Sequence, residues 1–391
     1  MKVVMVDPGN YTPYYDYSLC KALAKMGCEV ELATSPFLYD VLPDEGNFDL
    51  SYLFYRVLNL TMANRITLFK NAWVRRLFRA VEYPLDLIFF RRHIEKARPN
   101  ILHYQWVLVS PLDLLMFKRF QAMGIPLVYT AHNILPHEEK RWHRKQYASL
   151  YKTVNQIIVH SESNKRELVE TFMVDATKVR VIPQGNFSDF SGDALTKEKA
   201  REMLGIDPKQ RVILFFGLIK RYKGVEYLIK AFSLVKKRLP GTKLLITGKP
   251  NEDFSPYESL IADLGIAEDV ITHLRFVPYK EMAAYFCAAD VVVLPYLKTY
   301  QSAVVFTAYT FGRPVIATAT GGLLEAIEEG KSGYVVPPAD EQVLAEAICE
   351  MLSDEARMAQ MGDYARYLAE TKYSWPDIAR ATLEVYRSLV G

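Results

Sequence analysis

Three cations within four residues, Lys220, Arg221 and Lys223, follow the apolar run Val212–Phe216 and precede Gly224 and a helical stretch. At the carboxyl end of a buried strand, such clustering suits an anion better than a core. Arg offers a planar fork and Lys a mobile point charge, and a diphosphate matches both. The plain alternative is a solvated basic loop. Gly217 opens the same loop, and Leu244–Thr247 runs into Gly248 one unit later. There the backbone either passes close to a ligand or makes a tight turn. Further on, Gln301 and Ser302 open a helix expected at about Ala303–Phe311, with Ser302 as its N-cap. Free backbone N–H groups at a helix start favour an anion by about 0.3–1 kcal/mol when exposed and up to about 2 when partly buried. The strand Val315–Ala317 then ends in Gly321-Gly322, with Glu325 in the next helical turn. These features lie where open α/β sheets bind ligands, at the carboxyl ends of neighbouring parallel strands. Many βα units carry one of them and bind nothing, so the weight rests on the combination.

The first half offers His132 and Asn133 just past Val128–Thr130, and His160 after Ile157–Val159. His132 is placed to hydrogen-bond a sugar hydroxyl or stabilise charge, although a lone histidine after a strand is often structural. No Ser-His-Asp order or zinc-ligand spacing occurs. The first strand leads into Pro8-Gly9-Asn10-Tyr11-Thr12-Pro13 instead of a dinucleotide fingerprint, which disfavours a nicotinamide oxidoreductase. Between Arg56 and Arg98, basic residues (Arg65, Lys70, Arg75, Arg76, Arg79, Arg91, Arg92 and Lys96 among them) alternate with aromatics, opposed only by Glu82, Asp86 and Glu95. That composition fits an interfacial helix on an anionic membrane; the alternative is a core helix with a solvated basic face.

The elements that must position these residues are legible from hydrophobic rhythm. Short β-branched runs, with a strand expected over Ile271–Val277 among them, alternate with amphipathic stretches from Val3–Val6 to Tyr334–Val336, which argues for parallel sheets covered on both faces. The rhythm pauses at Pro183–Leu195, rich in Gly, Ser and Asp, where a linker is expected. A length of 391 residues then gives two doubly wound domains with a cleft between them. A final helix follows Tyr373-Ser374-Trp375. The net charge of +3 is too small to imply nucleic acid. Four scattered cysteines read as reduced thiols of a cytosolic protein, and no window is apolar for long enough to span a membrane.

Taken in order, GLIKRYKGVEYLIKAF, LLITGKP, RFVPYKEMAAYFCAADVVVLPY and FGRPVIATATGGLLEAIEEGKSGYVVPP resemble the family 4 glycosyltransferases of GT-B fold, with AHN around His132 and VIPQGN fitting upstream. The resemblance implies two Rossmann-like domains facing a cleft: 1–190 binding the acceptor, 191–372 binding a nucleotide sugar, and 373–391 crossing back onto the first domain. It implies transfer with retention of configuration and no metal or other cofactor. Lys223 matches the family's diphosphate-binding lysine. The family arginine would fall on Leu218, so Lys220 or Arg221 is expected to replace it. Gln301 and Ser302 match a branch that reads Gln-Ser-Gly, with Ala303 departing from its glycine; Ser302 and Ala303 lie where backbone amides usually meet the donor, and Gly217 and Gly248 are expected to bind it with them. His132 matches the histidine near the transferred sugar, and Glu325 is placed near the donor sugar or diphosphate. The usual glutamate pair is replaced by Thr299 and Thr307, so Thr307 stands at the ribose-contacting position. Asp16 is expected to cap the first helix rather than touch the acceptor.

These residues lead to a retaining glycosyltransferase acting on a glycan or lipid-linked acceptor in polysaccharide or glycolipid assembly. It is expected in the cytoplasm, held peripherally on the inner face of the membrane through 56–98. The rival readings are a nucleotide-sugar epimerase of the same architecture and a non-catalytic binding subunit.

Overall fold

Buried, β-branched strands dictate two wholly parallel sheets. The computed structural model describes residues 1–37, 39–43, 46–58, 72–108, 110–136, 138–192 and 195–390. In the first sheet the strands are β1 (Lys2–Asp7), β2 (Glu29–Thr34), β3 (Asp49–Tyr52), β4 (Ile101–Tyr104), β5 (Leu127–Thr130), β6 (Gln156–Val159) and β7 (Val179–Val181). Their spatial order is β3-β2-β1-β4-β5-β6-β7. In the second they are β8 (Arg211–Phe216), β9 (Thr242–Thr247), β10 (Val270–His273), β11 (Val291–Leu294), β12 (Val315–Thr318) and β13 (Gly333–Val336), ordered β10-β9-β8-β11-β12-β13. Every pairing is parallel. Each sheet therefore reverses its winding once, between β1 and β4 and between β8 and β11. Such switch points open crevices at the strands' carboxyl ends.

This is the Rossmann-like pair read from the sequence. Two elements differ from expectation. β3 was not foreseen, because Asp-Leu-Ser-Tyr at a largely exposed sheet edge has no apolar run. The strand expected over Ile271–Val277 ends at His273, whose carbonyl accepts both Gly248 N–H and Arg275 N–H at 3.0 Å as the chain turns.

The chain divides into one compact unit of Met1–Pro183 with Trp375–Gly391 and a second of Gln184–Ser374. The sequence reading put these boundaries at 190/191 and 372/373. Residues 184–190 fall in the second unit because they bond to it. Asn186 N–H donates to the Tyr373 carbonyl (2.9 Å), Phe187 N–H donates to Thr310 Oγ1 (2.8 Å), and the Phe190 ring packs edge-on to Tyr279. The last helix, Trp375–Val390, tolerates Pro376 in its first turn, where amides lack intrahelical partners anyway. It lays Ile378, Ala379, Leu383 and Tyr386 into one core with Leu19, Leu23, Val3 and Met5. Each large side chain buried this way contributes about 1.5–3 kcal/mol.

Candidate functional site

In the second unit, glycines let four strand exits meet. Gly217 (φ 120°) and Gly248 (φ 148°) both sit in left-handed backbone, and a Cβ on Gly248 would lie 1.8 Å from the Gly217 carbonyl oxygen. Gly248 thus permits close approach to another strand end. Gly224 (φ 67°) similarly leaves no room for a Cβ, which would fall 1.9 Å from the Pro295 oxygen. The Gly321-Gly322 turn is tied to the loop after β11: Gly322 N–H donates to the Tyr300 carbonyl at 2.9 Å.

This knitting brings Lys223 and Ser302 to one aromatic ring. Lys223 ends a single 3-10 turn, Arg221–Lys223, and its Nζ lies 3.8 Å from the centroid of buried Tyr296. The Tyr296 hydroxyl lies 3.3 Å from Ser302 Oγ. No carboxylate pairs with Lys223 among the described residues, and burial pushes its pKa down to about 8. A cation over an aromatic face gains from the ring quadrupole, by about 2 kcal/mol or more when desolvated.

Ser302 occupies the N-cap of helix Ala303–Thr310 but does not cap it. Its own N–H donates to Gln301 Oε1 (3.0 Å), and its side chain makes no capping bond to the turn that Ala303 begins. Thr307 Oγ1 donates to the Ala303 carbonyl (3.0 Å) and Thr299 Oγ1 to the Gln301 carbonyl (2.9 Å), so both hydroxyls at the former glutamate positions are bonded to their own chain. Arg221 is exposed, with its N–H donating to Glu252 Oε2 at 2.8 Å, and Lys220 is half-buried in extended backbone. Glu325 is exposed on the short helix Leu323–Ala326.

In the first unit, His132 is buried at the exit of β5. Its Nδ1 lies 3.0 Å from His160 Nε2, and its Nε2 lies 2.9 Å from Gln105 Oε1. His160 Nδ1 faces the Ile182 carbonyl at 3.0 Å and must carry its hydrogen there. Burial keeps the rings neutral, pulling His160 down to about 4 and His132 well below its usual range. A neutral His160 then accepts from Nδ1–H of His132. That leaves a lone pair on His132 Nε2 and turns the Gln105 amide to present its NH₂, since the two amide ends exchange by a half-turn. Both ring nitrogens of His132 are therefore committed within the unit.

Sequence reasoning missed Asp7. It closes β1, and its carboxylate accepts N–H from Gly9 (3.1 Å), Tyr11 (2.6 Å) and Thr12 (3.1 Å). Its signal was an acid ending the otherwise apolar strand Val3–Asp7. Asp7 fixes the loop that leads into the helix Pro13–Lys25, and Asp16 does not cap that helix, whose N-cap Thr12 makes no side-chain cap bond. Asp16 is fully buried beside it and accepts from Thr12 Oγ1 at 3.2 Å. Burial raises Asp7 to about 6, and burial together with the Asp7 charge raises Asp16 well above the carboxylate range.

A family model described as "Glycosyl transferases group 1" matches residues 196–367, and one described as "Glycosyltransferase Family 4" matches 15–185. The D-inositol 3-phosphate glycosyltransferase of Pseudarthrobacter chlorophenolicus is 32% identical over 317 residues, covering 77% of this chain and 73% of its own length. The protein of that name from Paenarthrobacter aurescens is 32% identical over 341 residues, 81% of each chain. Among solved structures, sucrose-phosphate synthase from Thermosynechococcus elongatus superposes with a TM-score of 0.75 at 21% identity, over 100% of this chain and 99% of that one. Anabaena HepE in complex with UDP superposes with a TM-score of 0.75 at 18% identity, over 99% and 100%. At these identities the solved structures speak for the fold.

Proposed function

Because this chain belongs to the group 1, family 4-like glycosyltransferases of GT-B fold, we propose that it moves a sugar, with retention of configuration, from a nucleoside diphosphate to a lipid-linked saccharide. The bond from the anomeric carbon to the diphosphate oxygen breaks, and its electron pair leaves with the diphosphate. The acceptor oxygen bonds the anomeric carbon on the same face, and its proton passes to the departing phosphate oxygen. Lys223, Lys220 or Arg221, and the uncapped amides at Ala303 stabilise the charge that develops on the leaving group, which is where electrostatic catalysis acts. This reading assigns no metal. Gln301, whose side chain covers the Ser302 amide, moves aside for the donor. Glu325 serves the donor sugar or diphosphate. His132 contributes position rather than a proton, its ring being neutral and doubly bonded.

The observation that carries the reading is the convergence of an unpaired, half-buried lysine and an uncapped helix start on Tyr296. HepE, solved with UDP and with UDP-glucose, makes uridine nucleotides the first to try. Incubation of nucleotide sugars with inositol phosphates, simple glycosides and lipid extracts, followed by NMR of the new anomeric proton, is expected to show a retained configuration. An inverted product, or an isomerised sugar nucleotide without acceptor, contradicts it.

The lipid-linked acceptor rests on the helix Ala72–Ala97. Leu77, Phe78, Val81, Leu85, Ile88 and Phe89 are all exposed, at spacings that follow one helical stripe. Two of its three acids are tied to backbone amides, Glu82 accepting N–H from Val57 and Leu58 and Asp86 from Tyr55, while Glu95 pairs with Arg91 and Arg119. Arg79, Arg92 and Lys96 stay exposed. Residues 59–71, with Arg65 and Lys70, lie outside the described residues, as do the side chains of Arg75 and Arg76. No described helix is long and apolar enough to cross a bilayer, so attachment would be peripheral, on an anionic surface. Co-sedimentation with phosphatidylglycerol vesicles should be strong at low salt and reduced by Leu85→Asp with Phe89→Asp; indifference to vesicles would remove this element.

A second reading, a sugar-nucleotide-binding subunit without turnover, is favoured by the self-bonded hydroxyls of Thr299 and Thr307. Nucleotide binding with no transfer to any acceptor would support it.

A further inference from the structure

The exits of β1, β4 and β5 carry an aromatic stack to which the transfer reading gives no task. The Trp106 ring lies parallel to His132 (centroids 5.4 Å apart, planes at 10°), and Tyr11 leans on Trp106 at 5.4 Å and 57°. The stack runs from the core to solvent: His132 is buried, Trp106 half-buried, and Tyr11 is 55% exposed. It is braced along its length. Trp106 Nε1–H donates to Thr12 Oγ1 (3.0 Å), whose hydroxyl donates to Asp16. Asp7 fixes the backbone of Gly9, Tyr11 and Thr12. The Tyr11 ring lies over Gly9, where a Cβ would be 2.2 Å from Cε2. Two buried carboxyls thus hold rigid a loop that presents a large, exposed aromatic surface at the switch point of the first sheet.

We propose that the exposed surface of Tyr11 and Trp106 is a stacking platform for the hydroxylated six-membered ring of the acceptor, a pyranose or cyclitol. One face of such a ring is C–H bonds made slightly positive by the attached oxygens, and it complements the negative face of an aromatic ring. Stacking leaves the equatorial hydroxyls at the rim free for reaction. Rigid presentation matters because ordering costs are met before the ligand arrives. The inference rests on the glycosyl-transfer reading for the ligand's role as acceptor, while the platform itself can be tested apart from transfer.

The test uses the full chain labelled with 5-fluorotryptophan, which carries four tryptophans. Trp106→Phe assigns one fluorine resonance to Trp106. Methyl α-glucoside and inositol are titrated with and without UDP. The platform predicts a saturable shift confined to the Trp106 signal, weakened about two- to tenfold by Tyr11→Ala. Tyr11 is exposed, so that variant should fold, and its UDP affinity should match wild type. No Trp106 shift with either ring in either condition, or an unaltered titration in Tyr11→Ala, overturns the proposal. A shift produced by octyl chains but not by the hydroxylated rings also overturns it, in favour of a lipid contact. Trp106 response without any nucleotide binding would leave the platform standing and the transfer reading fallen; nucleotide binding with a silent Trp106 would do the reverse.

Discussion

At the β1–β4 switch point of the first unit stand two buried carboxyls and three imidazoles kept neutral by burial. At the β8–β11 switch point of the second stand Lys220, Arg221, Lys223 and an uncapped helix start. The central strand order is shared, with neighbours running outward from β1 and β8 in the same sequence. Topology therefore supplies the place, and side chains choose the ligand. Under the proposed transfer, the second unit presents positive charge to a leaving group that gains negative charge. The first presents an uncharged, aromatic and braced surface, which suits a polar but neutral ring.

The largest effect is expected from Lys223→Ala. If Lys223 stabilises the leaving diphosphate, kcat/KM should fall by about 10²–10³, as when one oxyanion donor is removed. Steady-state kinetics with a saturating acceptor reads this, and a loss below tenfold would shift the stabilisation elsewhere. The same lysine gives the second unit a pH signature. With its pKa near 8 in the free protein, nucleotide affinity should be flat below about pH 7 and decline as the ammonium is lost above about 8.

Next comes Gly224→Ala, which places a Cβ against the Pro295 carbonyl at a left-handed φ. A stability loss of about 1–3 kcal/mol in urea denaturation is expected, along with weaker nucleotide binding as the Lys223 turn shifts. Unchanged values would mean that the β8 and β11 exits are less tightly knitted than described.

A smaller effect tests the first unit. Asp7 and Asp16 hold protons more tightly when folded than when unfolded, so the folded state binds the excess. Stability should therefore fall as pH rises from the ordinary carboxylate range through about 6, where Asp7 ionises, and go on falling until the more strongly raised Asp16 also loses its proton. Asp16→Asn should make that fall shallower, read as urea-denaturation stability against pH. A profile as steep in the variant as in wild type would remove the carboxyl pair from the account of this loop.

The sheets were legible because apolar β-branched runs such as Val291–Leu294 admit little else once buried on both faces. β3 was not, since its register depends on pairing with β2 rather than on its own composition. The cations of the second site could be read directly, because three charges after a buried strand have few structural uses. What those charges meet could not be read: the ring of Tyr296 under Lys223 depends on a contact between loops far apart in sequence. The backbone that Gly248 and Gly321 approach could not be read either, since Gly217 and Thr299 lie on other loops. In the first unit His132 was visible, but its commitment to His160 and Gln105 was not, for those partners arrive from separate strands.

The most direct measurement is isothermal calorimetry of UDP, GDP, ADP and dTDP with the wild type and with Lys223→Ala. One nucleotide should bind the wild type, and the lysine variant should bind it at least tenfold more weakly. If no nucleotide binds, or if the variant binds as tightly as the wild type, the second unit's cationic switch point is not the diphosphate site.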